Sequence, residues 1–392
     1  MGEAIATGCI DLRQHLLGAV AGIADALAAQ CDAEDAQGYL SRTSHNLLYD
    51  AGILAMKTPR ELGGHEADLV TQFEVLEAIT RVNPAAAWCA MVGTTSLGLP
   101  GAFLPEAGMR RMFAGERLPR GAILIMPSAR AVPVDGGFSL TGRWSFASGV
   151  QHAEWIAAHA LVGDGRAPPL LHMLVFPAGE ASLHDNWQVL GLRGTGSCDI
   201  SVEDLFVPAA CAWDVAAQPP QRGGPLYRLG IPAFVAYEHA AFATGLARRA
   251  LDTLTAYAQS KKRGYGPDAQ TLADRALVQR LIGRGDLQLR AARALTMELN
   301  ATAMDTVLRG DAVEPRLALE LRGAAVHCTE VACEIVTAAF RQSGAGAIYE
   351  KHVMQGCLRD INVAAQHLMV SESAYELLGQ SHLGFADINP MA

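Results

Sequence analysis

The sequence predicts an α+β protein in three consecutive parts: a helical domain over residues 1–118, a β-barrel or sandwich over 119–222, and a four-helix bundle over 223–392. Three observations predict it. Apolar residues recur at helical spacing toward both ends of the chain. Between about Pro119 and Val215 the apolar runs become short or alternating, with turn residues between them. The Pro/Gln/Gly-rich stretch "AAQPPQRGGPLYRLG" then separates that region from long helical text.

In the first part, "DLRQHLLGAVAGIADALAAQ" is amphipathic. "DLVTQFEVLEAITRVNPAAAWCAMVGTTSLGL" holds two further helices broken at Asn83-Pro84. "TPRELGGHEAD" between them is a turn built on Pro59 and the Gly63-Gly64 pair. In the second part "GAILIMP", "GGFSLTGRWSFASG", "EWIAAHALV", "PLLHMLVFP" and "CDISVEDLFVP" read as strands at hairpin spacing. In the third, helices are expected at about 231–260, 268–309, 313–341 and 353–380, joined by short connections as in an antiparallel bundle. The last of them, "RDINVAAQHLMVSESAYELLGQ", carries two apolar seams. One is Ile361, Ala364, Leu368, Tyr375 and Leu378; the other is Val363, His367, Val370, Ala374 and Leu377. A titratable imidazole sits in the middle of the second seam.

Composition excludes several functions. The chain of 392 residues is 50% apolar and 18% charged, which suits a well-buried or oligomeric protein. A formal net charge of -9 argues against a nucleic-acid partner or an anionic membrane surface. The N-terminal stretch, interrupted by Glu3, Asp11, Arg13 and His15, does not read as a signal peptide, and no run is expected to span a membrane. The eight cysteines are scattered and form no CxxC pair, so they read as reduced thiols in a cytoplasmic protein, with no metal site expected.

The order helical domain, β-domain, helical bundle resembles the acyl-CoA dehydrogenase fold, and three phrases carry the resemblance. "GGFSLTGRWSFASGVQHAEWIAAHALV" resembles the flavin-binding strand pair of that superfamily. "WQVLGLRGTGSCDISVEDLFVP" resembles the segment that follows it. "RDINVAAQHLMVS", an Arg-Asp followed by a helix bearing a His, is similar to the two-component flavin monooxygenases of the same fold. These include the oxygenase component of p-hydroxyphenylacetate hydroxylase and dibenzothiophene monooxygenase. The resemblance implies reduced FMN (or FADH2) and O2 as cofactors. It implies a flavin C4a-hydroperoxide that hydroxylates an organic substrate, expected to be aromatic. It also implies a separate NAD(P)H:flavin reductase as partner and a homotetramer built on the bundle. FMN and FAD both stay open.

The same resemblance assigns the site. His367 is the expected catalytic imidazole, since a group titrating near neutral pH can give or take a proton in oxygen chemistry. Ser148, in "SFASG", stands where relatives hydrogen-bond flavin N5. Phe146 occupies the slot that packs on the isoalloxazine. Arg193 in "GLRGTGS" either reaches a flavin phosphate or braces its loop. Arg263 in "AQSKKRGYG" matches an arginine directed at a flavin phosphate across a subunit interface, a role suited to a guanidinium. Ser343 in "RQSGAGAIYE" is a further cofactor contact, and Trp144 and Glu238 are expected substrate contacts.

Two other readings stay open. Glu238 in "FVAYEHAAF" falls where some acyl-CoA dehydrogenases carry their α-proton base, flanked by Phe234 and Phe242 that would raise its pKa. Against that, the dehydrogenase phrase T-E-P-x-x-G-S-D would fall at "IMPSARAVP", where only Pro127 matches. A non-catalytic scaffold of the same fold is the third reading. It would lack the hydroxyl and the imidazole, and both are present.

Overall fold

The computed structural model describes residues 2–263 and 270–391, with residues 2–10, 263 and 270 as backbone alone. The architecture is α+β, as the sequence predicts, and the chain forms two compact units. One comprises Met1–Ala67, Trp88–Val189 and Arg193–Tyr227; the other comprises Asp68–Ala87, Leu190–Leu192 and Arg228–Ala392.

The first unit contains helices α1 (Gly2–Ala28), α2 (Cys31–Gln37) and α3 (Arg42–Asp50). Ser41 caps α3 by accepting from Ser44 N–H at 3.0 Å. Helix α4 (Leu69–Val82) belongs to the second unit. Helix α5 (Pro84–Phe103) enters the first unit from Trp88 onward, followed by α6 (Glu106–Met112).

Seven strands then build one sheet: β1 (Gly121–Val134), β2 (Gly137–Trp144), β3 (Trp155–Val162), β4 (Leu170–Pro177), β5 (Ser182–His184), β6 (Asp199–Pro208) and β7 (Ala212–Asp214). The spatial order is β5-β6-β2-β1-β3-β4-β7. Only β1 and β3 run parallel; the other neighbouring pairs are antiparallel. Period-two alternation sorts side chains to two faces. Leu140, Trp144, Ile156, Ala158 and Phe176 share one buried cluster. Ile123, Ala157, Met173 and Val175 point the other way, against Leu97, Leu104 and Met112 of the helices. The β1–β3 register shifts between Leu124 and Ala129, which puts the "IMPS" stretch in a bulge.

The second unit is the bundle: α4 with α7 (Ala236–Ser260), α8 (Ala276–Leu308), α9 (Pro315–Ser343), α10 (Val353–Ala364) and α11 (Ser373–His382). Pro315 opens α9, where its missing N–H costs nothing. By length and composition alone α9 is long and apolar enough to cross a membrane. Most of its apolar window is buried within the bundle. A two-residue strand β8 (Lys262–Arg263) pairs with β9 (Gln270–Thr271) after α7.

Helix α7 lies close against α4. Arg293 of α8 donates to Glu77 at 2.9 Å and to Glu74 at 3.1 Å on α4. Arg249 of α7 donates to the last carbonyls of α4, Arg81 O at 2.6 Å and Val82 O. At Gly245 a Cβ would lie 2.7 Å from both Glu77 O and Thr80 Cβ, so only glycine allows this approach.

One predicted helix is not continuous. The expected 353–380 helix is α10, a 3-10 turn at Leu368–Val370, and then α11. The cause is local competition for backbone donors. His367 takes an extended conformation, and its own Nδ1 accepts from Met369 N–H at 3.2 Å. Ser371 is also extended, and its Oγ accepts from Ser373 N–H at 3.4 Å. The two seams read on one helix therefore belong to three elements.

Gly245→Ala tests the α4–α7 approach. The added methyl forces a backbone shift, with an expected loss of about 1–3 kcal/mol, read as a lower urea midpoint. An unchanged midpoint would show that the approach is not tight.

Candidate active site

Two loops of the sheet unit carry the first group of expected residues. After β2 the chain turns through Phe146, Ala147, Ser148 and Gly149; before β6 it passes Arg193–Cys198. Backbone bonds zip them together: Ala147 N–H donates to Cys198 O at 3.0 Å, and Gly149 N–H to Thr195 O at 2.9 Å. Gly149 and Gly196 hold positive φ values of 71° and 55°, which their lack of a Cβ permits. Gln151 Nε2 donates to Gly196 O at 2.7 Å and completes the second turn.

This pairing places a row of polar side chains in the interior. Ser148 Oγ lies 2.6 Å from Ser197 Oγ, and Ser197 Oγ lies 2.7 Å from Thr195 Oγ1. Trp88 of α5 donates its indole N–H to Ser148 Oγ at 3.3 Å. All four residues are buried. Phe146, two residues before Ser148, does the opposite. The residue is 67% exposed although it has φ +68°, an unfavourable conformation for a bulky side chain. Trp187 meets it edge-on, with centroids 6.2 Å apart. A small cavity beside Ser148 and Gly149 is lined by Leu54, Cys89, Gly93, Leu97 and His45.

The remaining expected residues of this unit are occupied elsewhere. Arg193 Nε donates to Val189 O at 3.0 Å and its guanidinium lies 3.9 Å from the Asp35 carboxylate, so it braces its own loop. Trp144 is fully buried in the sheet core, with Nε1 donating to His159 O at 2.9 Å. The expectation that it touches substrate finds no surface to act through.

The bundle unit carries the second group. Glu238 is buried in the first turn of α7. Its neighbour Tyr237 donates its hydroxyl to Gln72 of α4, and burial, with the Glu238 carboxylate second, pushes that phenol well above its usual range. His239 is the next residue, and its ring stacks on His367 with centroids 4.2 Å apart and planes 30° from parallel.

The state of His367 differs from the sequence expectation. Burial pulls its pKa down to about 4, so the ring is neutral at physiological pH. Because Nδ1 accepts the Met369 N–H, the neutral ring carries its proton on Nε2. The group is a hydrogen-bond donor with a fixed tautomer, not one titrating near neutrality. Arg322 of α9 supports the same turn by donating to Leu368 O at 3.2 Å.

The "RD" and "GLRG" phrases meet within this unit. Asp360 accepts from Leu192 N–H at 2.7 Å, and Arg359 donates to Leu190 O at 3.2 Å. Leu192 has φ +52°, and at Gly191 a Cβ would sit 2.4 Å from the Arg359 carbonyl. Ser343 ends α9 with its hydroxyl donating to Ala339 O at 2.9 Å. The side chain of Arg263 lies outside the described residues.

Sequence reasoning missed Trp88, Thr195, Ser197 and His239. Thr195 and Ser197 stood inside the glycine-rich phrase, where only the arginine drew notice. His239 adjoins Glu238 in "YEHAAF", a cue that pairs with His367 only in three dimensions.

Comparison with known proteins follows the same lines. The family model described as acyl-CoA dehydrogenase, N-terminal domain, matches residues 13–104, and the one described as acyl-CoA dehydrogenase, C-terminal domain, matches residues 237–372. Indole-3-acetate monooxygenase of Pseudomonas putida is 29% identical over 350 residues, covering 89% of each chain. The flavin-dependent monooxygenase oxygenase subunit HsaA of Rhodococcus jostii (strain RHA1) is 24% identical over 351 residues, covering 87% of this chain and 91% of that one. Among solved structures, XiaF from Streptomyces sp. in complex with FADH2 and glycerol has a TM-score of 0.90 at 23% identity, covering 99% of both chains. That likeness shows the fold.

The neutral His367 has a consequence for stability. Its folded pKa lies below the unfolded value near 6.5, so the unfolded chain binds the extra proton. Its contribution is complete above pH 6.5 and is lost as pH falls toward 4. Between pH 7.5 and 5, the protein should lose about 2 kcal/mol more than His367→Gln does, measured by urea unfolding. Equal losses would show that the ring is not buried as described.

Proposed function

The chain belongs to the acyl-CoA dehydrogenase family, and on that premise we propose that it is the oxygenase component of a two-component flavin-dependent monooxygenase. The observation that carries the reading is the pairing of an exposed aromatic ring with a buried hydroxyl two residues on. Phe146 offers a flat apolar face, and Ser148 beside it offers a group able to donate or accept. A flat heteroaromatic ring with a polar edge, such as a flavin, fits that donor set. The relatives named above as monooxygenase and oxygenase subunit support the same class.

Bound reduced flavin supplies the activation of O2. The protein's part is to hold the ring, exclude water and fix protons. Phe146 would pack on the ring, and Ser148 would meet its N5 edge. Leu54, Cys89 and Leu97 supply apolar wall to the cavity beside Ser148, which His45 and Arg120 also line. His367 holds a proton on Nε2 across the working pH range and presents it as a donor. Arg263 and Ser343 would contact the cofactor, and Glu238 the substrate. An organic, aromatic substrate is the expected acceptor, in keeping with the relative named for indole-3-acetate. A separate NAD(P)H:flavin reductase would deliver the reduced cofactor, FMN or FADH2, to a cytoplasmic homotetramer.

A dehydrogenase reading has one specific support, the buried Glu238. Anaerobic bleaching of bound flavin by an acyl-CoA, abolished in Glu238→Gln, would establish it and displace the oxygenase.

The direct test mixes protein carrying reduced FMN or FADH2 with oxygenated buffer and an aromatic substrate. Oxygenated product in a substantial fraction of the flavin oxidised is expected. Ser148→Ala should release hydrogen peroxide about tenfold faster, consistent with the loss of one hydrogen bond. His367→Ala should lower product per flavin oxidised while flavin still binds. Unchanged peroxide release and unchanged yield in these variants would remove both residues from the mechanism.

A further inference from the structure

The row Trp88–Ser148–Ser197–Thr195 contains more protons than its internal contacts consume. Three hydroxyls bring three protons, and the two oxygen–oxygen contacts of 2.6 and 2.7 Å use two of them. The surplus proton must leave the row at some point, and where it leaves depends on which way the row is polarised. The indole of Trp88 settles one further lone pair, because an indole N–H can only donate.

Two end-to-end polarities satisfy every internal contact, and a third, in which Ser197 accepts from both Ser148 and Thr195 and turns its own proton out of the row, leaves Ser148 as in the second. In the first, Thr195 donates to Ser197 and Ser197 to Ser148. Ser148 then accepts from both Ser197 and Trp88, so its lone pairs are filled and its own proton must point outward. In the second, Ser148 donates to Ser197 and Ser197 to Thr195. Ser148 then accepts only from Trp88 and keeps one lone pair for an outside donor. Passing between the two needs only rotation of three O–H groups about their C–O bonds; no bond breaks and no proton changes owner.

We propose that Ser197, Thr195 and Trp88 are positioning residues that let Ser148 present either a proton or a lone pair, so that one site holds a flavin in both redox states. Oxidised flavin offers an accepting nitrogen at N5, and the reduced ring offers N–H there. A single serine with fixed partners would suit one form and oppose the other. The row is held for this task by the flanking backbone bonds from Ala147 and Gly149, which keep the hydroxyls in register whichever way they point. This inference rests on the reading that Ser148 faces the flavin.

The experiment measures dissociation constants of oxidised flavin and of dithionite-reduced flavin, using FMN and FAD, by anaerobic ultrafiltration. In Ser197→Ala, Ser148 can still donate to the oxidised ring. When it accepts from the reduced ring, its own proton loses its internal acceptor. The ratio of reduced to oxidised dissociation constants should therefore rise about tenfold, as expected for one unmet hydrogen bond. Ser197→Thr, which keeps a hydroxyl, should restore the ratio. A merely structural role would weaken both forms by the same factor in Ser197→Ala; that result, or no change in either, overturns the proposal. If Ser148→Ala leaves both constants at the wild-type value, the placement of Ser148 against flavin fails instead.

Discussion

A hydroxyl taken out of water must find its partners inside the protein, and the arrangement around Ser148 follows from that constraint. Leaving one buried polar group unmatched costs about 1–3 kcal/mol, comparable to a large point-mutation effect. The two loops after β2 and before β6 avoid it by bringing Ser148, Ser197 and Thr195 into one row beneath the Trp88 indole. Their backbones are joined on both sides of that row. Positive φ at Gly149 and Gly196 permits the tight turns that the joining needs. Once the loops are so fixed, Phe146 can be held in a left-handed conformation that alone would cost about 1–2 kcal/mol. Its ring is kept outward by the same geometry.

A second polar constraint acts in the bundle unit. The segment Leu190–Leu192 has no strand or helix to take up its backbone groups, and the start of α10's second half supplies them. Asp360 takes the Leu192 N–H and Arg359 the Leu190 carbonyl. A carboxylate accepting from a backbone amide makes a stronger bond than a neutral acceptor would, which suits a residue held at φ +52°. Gly191 is required because the Arg359 carbonyl lies where a Cβ would stand. Two phrases that look unrelated in the chain are thus the two halves of one contact.

Much of the fold was legible because period and punctuation are local. Helical spacing marked α7, α8 and α9, and alternation with turn residues marked the strands. The fourth bundle helix was misjudged because the seams through Ile361 and Val363 continue past His367 in register. What stops the helix is a side chain that caps its own following turn, a choice apolar periodicity does not report. Trp144 was misread for a related reason: alternation assigns it to a face, but only the packed sheet reveals that this face is covered. Ser148 and Phe146 were singled out through their phrase. Trp88 and His239 were not, since each acquires meaning from a partner far away in sequence.

The two candidate groups differ in how they treat protons. The row at Ser148 is built from hydroxyls, which reverse direction by rotation at little cost and stay neutral throughout. The His367 ring is tied at Nδ1 to a backbone amide, so it cannot reverse without giving up that bond. Burial further disfavours a positive charge there. An imidazole so held is poor at shuttling protons and good at keeping one N–H aimed in one direction. The first unit thus holds an adaptable group and the second a fixed one. A site that must accept a cofactor in one protonation state and release it in another needs the first. A site that must not shed a proton or water to activated oxygen needs the second.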